Sequence, residues 1–170
     1  QWSFRRDPHD TGVVSRWSVK PVDLSWWKQQ EDRGSIASHQ RNPGHWEQVT
    51  ADLYLQAQGL ITPDHHGVQG YGWYRNDIQV TPEQLSGGPV HIKFPGLFNE
   101  CWLYVNGYLA GYRPQRDMWW YNDYRFEWDV DLSEHLKSGE NTLALRIYNP
   151  HHWGGMFRRP FLYRPVGQAK

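Results

Sequence analysis

Cysteine, an excess of one charge and long apolar runs are all scarce in this sequence. Cys101 is the only cysteine in 170 residues, so no disulfide can form within the chain, and its strand-like neighbours favour a buried structural thiol. Lysine plus arginine and aspartate plus glutamate both number 18, which excludes the basic excess of a general nucleic-acid binder. Apolar runs are much shorter than the roughly 18 residues of a membrane-spanning helix, so we expect no membrane partner.

Metal-ligand spacing is equally scarce. The nine histidines include adjacent pairs at 65–66 and 151–152, but no His-x-x-x-His or Cys/His spacing that would predict zinc. Asp7 and Asp10, near Gly12, are oxygen donors for a structural calcium ion, although so few acidic residues make a sparse ligand set. The sequence therefore predicts no cofactor, with a structural Ca²⁺ ion as the alternative.

Aromatic residues are abundant. The chain has 11 tryptophans, 10 tyrosines and 6 phenylalanines, which make 16% of its residues when all hydrophobic types together make 38%. Large rings favour strands, and two facing sheets can bury them. Rings are also the usual platform for sugars, because the C–H face of a pyranose lies against an aromatic face. The length fits one domain, residues 1–170.

The local patterns predict many short strands and almost no helix. Residues 2–17 are expected to form a short strand and then an irregular loop, residues 26–43 and 59–70 long loops, and residues 131–137 one helical turn with Asp131 or Ser133 as its cap. Short strands separated by turn signals indicate an all-β sandwich or jelly roll. The predicted strands are 45–49, 53–57, 72–80, 90–94, 101–105, 124–130, 142–148 and 161–164.

Two patterns predict local geometry in more detail. Asn106-Gly107 is the strongest short hairpin signal, because both central residues of that turn need a positive φ. In residues 142–148, the leucines and the isoleucine lie on one face and Thr, Ala, Arg and Tyr on the other. Trp73 and Tyr74 should likewise point to opposite faces, with Arg75 bonding carboxylates or carbonyls.

Four short motifs occur in a characteristic order. They are Tyr-Gly-Trp-Tyr-Arg at 71–75, Tyr-Val-Asn-Gly-Tyr-Leu-Ala-Gly at 104–111, Gly-Glu-Asn-Thr-Leu-Ala-Leu-Arg at 139–146 and Gly-Gly-Met-Phe-Arg at 154–158. The series resembles the N-terminal sugar-binding, jelly-roll domain of family 2 glycoside hydrolases, the β-galactosidase and β-glucuronidase group. The resemblance implies a galactose-binding-like jelly roll over residues 2–165, beside a barrel that carries the family's catalytic acids.

Three loops are candidate sugar-binding sites, because loops at one end or rim of a sandwich usually supply the site. The loop at 112–123 combines three consecutive rings with arginines; the alternative is that its rings cap the sandwich. The loop at 149–155 resembles a family segment that reaches toward the substrate, although Asn149 stands where an aspartate can occur. The stretch at 51–54 resembles the place of the family's Pro-x-x-Trp element but lacks its Pro and Trp, and it would put Asp52 and Tyr54 near the same rim. The candidate ligand-binding residues are Arg113, Arg116, Trp119, Trp120, Tyr121, Asn149, His151, His152, Trp153, Asp52 and Tyr54.

Three functions remain open from the sequence. The first is a non-catalytic carbohydrate-binding module that binds a poly- or oligosaccharide as an accessory of a glycoside hydrolase; arginines on the aromatic loop hint at an anionic glycan. The second is a ligand-free bracing domain beside the catalytic domain of the parent protein. The third, a free-standing glycosidase or lyase, is disfavoured because no paired-carboxylate motif stands out. Gln1 is consistent with a processed or trimmed leader, and we expect an extracellular or periplasmic location.

Overall fold

Strands with alternating buried and exposed side chains dominate the chain. The computed structural model describes residues 1–32, 44–60, 68–98, 100–114, 126–150 and 154–166. Within these residues the helical elements are α1 (Ser25–Asp32), a short 3-10 helix (Gln56–Gln58) and α2 (Pro82–Ser86). The strands are β1 (Trp2–Asp7), β2 (Glu47–Val49), β3 (Gly70–Val80), β4 (His91–Phe94), β5 (Gly96–Phe98), β6 (Glu100–Val105), β7 (Tyr108–Arg113), β8 (Trp128–Asp131), β9 (Gly139–Asn149), β10 (Gly155–Arg158) and β11 (Phe161–Tyr163).

The strands form one large antiparallel sheet and two smaller ones. The large sheet has the order β2-β1-β3-β9-β6-β7, and the small sheets have the orders β11-β4-β8 and β10-β5. Side chains of all three sheets form one apolar core, which includes Phe4 and Tyr74 from the large sheet, Phe94 from β4 and Leu97 from β5. The predicted all-β sandwich is confirmed. No helix in the described residues is long and apolar enough to cross a membrane.

Alternation along β9 gives the large sheet its two faces. Leu143, Leu145 and Ile147 are buried in the main core, as predicted, while the residues between them lie on the other side. We call these sides the inner face and the outer face. Tyr74 lies on the inner face and Trp73 on the outer face, so the predicted opposition of these two rings is also confirmed.

The hairpin between β6 and β7 has the predicted turn. Asn106 has φ of 52° and Gly107 has φ of 87°, as a two-residue turn with two positive φ values requires. The Asn106 amide donates to the carbonyl of His135 and to Oδ1 of Asn141, so the turn is also fixed by the chain that enters β9. The hairpin makes β7 the edge strand of the large sheet.

The N-terminal segment between β1 and α1, residues 8–24, covers part of the outer face. Trp17 lies beside Trp46 and Trp73, with ring centroids 5.9 and 6.4 Å away. Arg75 Nη1 donates to the carbonyls of Trp17 and Lys20, which confirms the predicted use of this arginine on carbonyl groups. These contacts make a second, smaller apolar cluster on the outer face.

Several local predictions are wrong. Helix α1 occupies the start of the predicted loop 26–43, where Trp27 is buried and supplies tertiary packing that a polar composition hides. The predicted strand 53–57 is replaced by the 3-10 helix, since the Gln58 amide donates to the carbonyls of Thr50 and Leu53 in place of a strand partner. Helix α2 forms where a turn was expected, because Thr81 and Gln84 make a reciprocal capping box.

Strand boundaries also differ from the prediction. β5 and β10 were not predicted as strands; they pair with each other, which local alternation does not reveal. β8 begins at Trp128, and the start of predicted strand 124–130 lies outside the described residues. At 131–137 a single turn forms, in which Asp131 accepts hydrogen bonds from the Ser133 backbone N–H and hydroxyl, although Asp131 itself ends β8.

Candidate functional site

One end of the large sheet gathers the attachment points of the predicted loops. The register pairs Gly70 with Asn149, Glu100 with Tyr148 and Cys101 with Arg113. The start of β3 and β6 and the finish of β7 and β9 therefore lie together, and we call this the loop end. At this end the chain leaves the sheet and enters the predicted loops at 112–123 and 149–155.

Seven of the eleven predicted ligand-binding residues follow these attachment points, and their role stays a prediction. The residues that lie outside the described part of the chain are Arg116, Trp119, Trp120, Tyr121, His151, His152 and Trp153.

Arg113 and Asn149 are parts of strands, which corrects their predicted placement on loops. Arg113 ends β7 and its guanidinium donates to the carbonyl of Leu97 at 2.5 Å and to that of Phe126 at 3.2 Å. Asn149 ends β9, is fully buried and donates from Nδ2 to the carbonyl of Val68 at 2.6 Å. Both side chains hold the loop end together, because they satisfy carbonyl groups where strands stop.

Asp52 and Tyr54 lie beside the same end of the sandwich, as expected. The backbone N–H of Leu55 donates to the carbonyl of Gly154, which ties this stretch to the residue that directly precedes β10. Asp52 Oδ2 accepts a 2.6 Å hydrogen bond from Arg159, which holds the pKa of that carboxyl below its usual range. Tyr54 stacks on Phe157 with ring centroids 4.4 Å apart. Both side chains thus already have protein partners.

The outer face carries a group of rings next to the loop end that local sequence reasoning missed. Tyr71, Trp102, Tyr112 and Tyr148 come from four strands, β3, β6, β7 and β9, and all are at least partly exposed. Ring centroids are 4.7 Å apart for Tyr71 and Tyr148, 6.2 Å for Tyr71 and Trp102, and 5.3 Å for Trp102 and Tyr112. We call these four rings the aromatic patch. The predicted alternation of 142–148 placed Tyr148 on this face, but only the register brings the other three rings beside it.

Arg146 lies inside the patch and is neutralised there. Its guanidinium carbon is 4.1 Å from the ring centre of Tyr71 and 4.2 Å from that of Trp102. Its Nη2 donates a 2.5 Å hydrogen bond to Oδ1 of Asp10. Asp10 belongs to the N-terminal segment and has a φ of 51°. The arginine is 8% exposed, so it orients the two rings rather than meeting solvent.

Glu100 lies at the margin of the patch. Its Oε1 accepts a 2.5 Å hydrogen bond from the hydroxyl of Tyr112, and this bond raises the pKa of Tyr112. Glu100 is also the register partner of Tyr148. The patch therefore combines partly exposed rings with a carboxylate acceptor, the two kinds of group that hold the apolar face and the hydroxyls of a sugar.

The calcium alternative does not fit the two aspartates. Asp7 is buried, and its oxygens accept hydrogen bonds from the N–H groups of Thr11 and Gly12 and from Trp73 Nε1. Asp10 pairs with Arg146. Donor hydrogens and a guanidinium occupy the positions that a cation would need. Among the described residues, no group of three or more His, Cys, Asp or Glu side chains is arranged to hold a metal ion.

No protein-family model matches the chain, whereas individual relatives do. It is 34% identical over 80 residues to a protein assigned as a β-glucuronidase in Formosa agariphila, over 47% of this chain and 7% of that protein. It is 26% identical over 146 residues to a β-galactosidase of Vibrio vulnificus, over 78% of this chain and 13% of that enzyme. The chain therefore spans a small part of the curated relatives that it matches.

The fold has solved counterparts. A glycosyl hydrolase family 2 member from Bacteroides cellulosilyticus superposes with a TM-score of 0.61 and 18% identity, over 95% of this chain and 19% of that one. At this identity the likeness shows the fold alone. Together, the homologues and structural neighbours are β-glucuronidases and β-galactosidases, and the chain is similar to an N-terminal domain of family 2 glycoside hydrolases.

Proposed function

We propose that this chain is a non-catalytic domain of a larger glycosidase and that it binds a poly- or oligosaccharide with the aromatic patch. The relatives support the first part, because the chain matches only a small part of each enzyme's length. The proposal includes an extracellular or periplasmic location for the chain, where it would encounter polysaccharides.

The partial exposure of the aromatic patch carries the proposal. The N-terminal segment shields Trp73 on the outer face, but Tyr112 is 49% exposed on the edge strand β7. One face of the Tyr112 ring lies against Trp102, which leaves the opposite side of the ring for a pyranose. Tyr71 and Tyr148 extend the aromatic surface toward the loop end.

The positions of the acidic residues support a non-catalytic role. Hydrolysis of a glycosidic bond needs two carboxyl groups roughly 5 to 10 Å apart across the sugar. Among the acidic residues in and around the predicted loops, Glu47 is buried, Asp52 pairs with Arg159, and Glu127 pairs with Lys93 at 2.7 Å. Asp117 and Asp123 lie outside the described residues. Asp52 and Glu127 are thus already engaged by the basic side chains of Arg159 and Lys93.

The test is a polysaccharide panel by affinity electrophoresis on the wild type and on two matched variants. Tyr112→Ala should abolish retardation, because it removes the most exposed ring of the patch. Tyr108→Ala is the control: Tyr108 is on the same strand and 69% exposed, but it stacks on His135 away from the patch. Both variants should unfold within about 1 kcal/mol of the wild type, since neither ring is buried.

Three results would count against the proposal. Equal retardation of the Tyr112→Ala and wild-type chains would place binding elsewhere. An equal loss in the Tyr108→Ala control would mean that the effect is not specific to the patch. Hydrolysis of any polymer by the isolated chain would overturn the non-catalytic part.

A ligand-free bracing domain is the second candidate, and the edge strand β11 favours it. Phe161 is 51% exposed and Leu162 39% exposed, at consecutive positions of this three-residue strand. Leu162 and Tyr163 also line a hollow of about 390 Å³ with Val80 and Val90. Such an apolar edge suits contact with another domain of the parent protein. No retardation by any polymer in the panel would favour this candidate.

A further inference from the structure

The charges around the aromatic patch indicate which sugars it accepts. We propose that the patch selects neutral pyranosides over uronates and sulfated sugars, and that Glu100 is the residue that discriminates between them. This inference rests on the proposed sugar-binding function and names its ligand class. It also departs from the anionic glycan that the arginines of the sequence suggested.

Arg146 is not offered to a ligand as a cation. It is 8% exposed, and its guanidinium is held between the rings of Tyr71 and Trp102. Asp10 Oδ1 accepts a 2.5 Å hydrogen bond from its Nη2, and the Asp10 carboxylate balances its charge. A uronate carboxylate would have to displace Asp10 and enter the ring stack to form the bidentate pair that arginine gives to free carboxylates.

Among the described residues, two other arginines near the patch point to protein groups. Arg113 donates to the carbonyls of Leu97 and Phe126, on the inner side of the sheet. Arg5 lies opposite Trp73 on the outer face, with its guanidinium carbon 4.1 Å from the ring centre of Trp17. Neither guanidinium faces the exposed rings, so both are structural cations rather than anion receptors.

Glu100, in contrast, puts a negative charge at the margin of the patch. Its carboxylate lies beside Tyr112, the most exposed ring of the patch, and accepts a hydrogen bond from the hydroxyl of that residue. A carboxylate accepts strong hydrogen bonds from sugar hydroxyls, which neutral pyranosides carry in pairs. A sugar carboxylate or sulfate at the same place has no proton to donate and is repelled.

The experiment compares two polymers that share one backbone. A neutral β-glucan and the same glucan oxidised at C6 to the uronate are the probes, in affinity electrophoresis and titration calorimetry. The wild type should bind the neutral polymer about tenfold more tightly, as expected for like charges close together at a protein surface. In Glu100→Gln the preference should fall to about threefold or less, because the amide keeps the shape of the side chain and removes its charge.

The dependence on salt and the Tyr112 variant distinguish a failure of the proposed selectivity from a failure of the proposed sugar binding. Higher ionic strength should strengthen uronate binding to the wild type and leave Glu100→Gln unchanged, since only the wild type has a repulsion to screen. A wild-type preference for the uronate, or the same preference ratio in Glu100→Gln, would overturn the selectivity while leaving sugar binding intact. If the wild type bound neither polymer, the proposed function itself would be overturned, and this inference with it. Binding that survives Tyr112→Ala would place the sugar away from Glu100 and overturn the selectivity mechanism.

Discussion

Tyr74 and Tyr71 lie three residues apart on β3 and occupy opposite faces of the same sheet. Tyr74 is fully buried, and its ring centroid lies 4.8 Å from that of Phe4. Its hydroxyl accepts a hydrogen bond from the backbone N–H of Met156. Tyr71 is only partly buried and lies against Arg146 and Tyr148. The comparison shows that an abundance of rings does not identify a site. The ring on the inner face joins two sheets, and the ring on the outer face is left partly free.

The two faces also depend on different forces. On the inner face, apolar area leaves water at about 25 cal/mol per Å², and rings touch apolar side chains. On the outer face, the Arg146 cation between two rings and its ion pair with Asp10 together contribute about 1 to 2 kcal/mol to the free energy of unfolding. They orient the rings and leave them partly exposed. Mutations on the two faces should therefore differ in what they damage.

The largest effect is expected on the inner face. Tyr74→Ala should lower the free energy of unfolding by about 3 to 5 kcal/mol, because it leaves a cavity among fully buried residues. Tyr74→Phe should cost about 1 to 3 kcal/mol, because the Met156 N–H loses its acceptor. Urea denaturation measures both. A loss below about 1 kcal/mol in Tyr74→Ala would show that the two faces do not differ as described.

An intermediate effect is expected where the outer face is held by charge. Arg146→Met keeps the length of the side chain but removes the cation and the Asp10 pair, and should cost about 1 to 2 kcal/mol. Asp10→Asn, which leaves the cation between the rings and tolerates the positive φ, should cost about half as much. Equal losses in the two variants, measured by the same denaturation, would mean that the ion pair alone matters and the ring contacts do not.

The smallest effect on the protein is expected in alkaline titration, which compares the buried Tyr74 directly with the exposed Tyr112. Burial raises the pKa of Tyr74 strongly, and the hydrogen bond to Glu100 raises the pKa of Tyr112 above its ordinary value. A tyrosine with a raised folded pKa contributes stability below its ordinary pKa and loses it as pH rises through the folded value.

Near-ultraviolet tyrosinate absorbance should show Tyr112 ionising in the folded chain and Tyr74 ionising only on unfolding. Tyr112→Phe and Tyr74→Phe assign the two steps. Glu100→Gln should move the Tyr112 step to lower pH. If Tyr74 ionised before unfolding, its burial among the inner rings would be contradicted.

Much of the fold could be predicted from local signals, and the reason is visible in particular residues. The turn at Asn106-Gly107 is set by backbone φ preference, and the two faces of 142–148 by the two-residue period of a strand. The same reasoning failed for β5 and β10, because each is stabilised by pairing with the other and not by its own pattern. It also failed for α1, whose buried Trp27 lies in a polar segment.

The candidate site was harder to predict, because its residues are distant in sequence. Arg113 and Asn149 were read as loop residues from their neighbours, but pairing with Cys101 and Gly70, which are distant in sequence, makes them strand ends. The aromatic patch joins four strands, and no local window contains two of its rings in contact. Residues 115–123 of the predicted loop 112–123 and residues 151–153 of the predicted loop 149–155 lie outside the described residues.

The sequence by itself determined the fold class, the hairpin and the alternation of faces, because these follow from backbone preferences and from side chains a few residues apart. Only the tertiary structure decided which rings lie in the core and which stay partly exposed, because that depends on strand register and on what covers each face. The N-terminal segment reaches Trp73 and Arg146 but leaves Tyr112 open at the edge strand. Long-range packing, which no short sequence pattern encodes, therefore separates the structural rings from the proposed sugar platform.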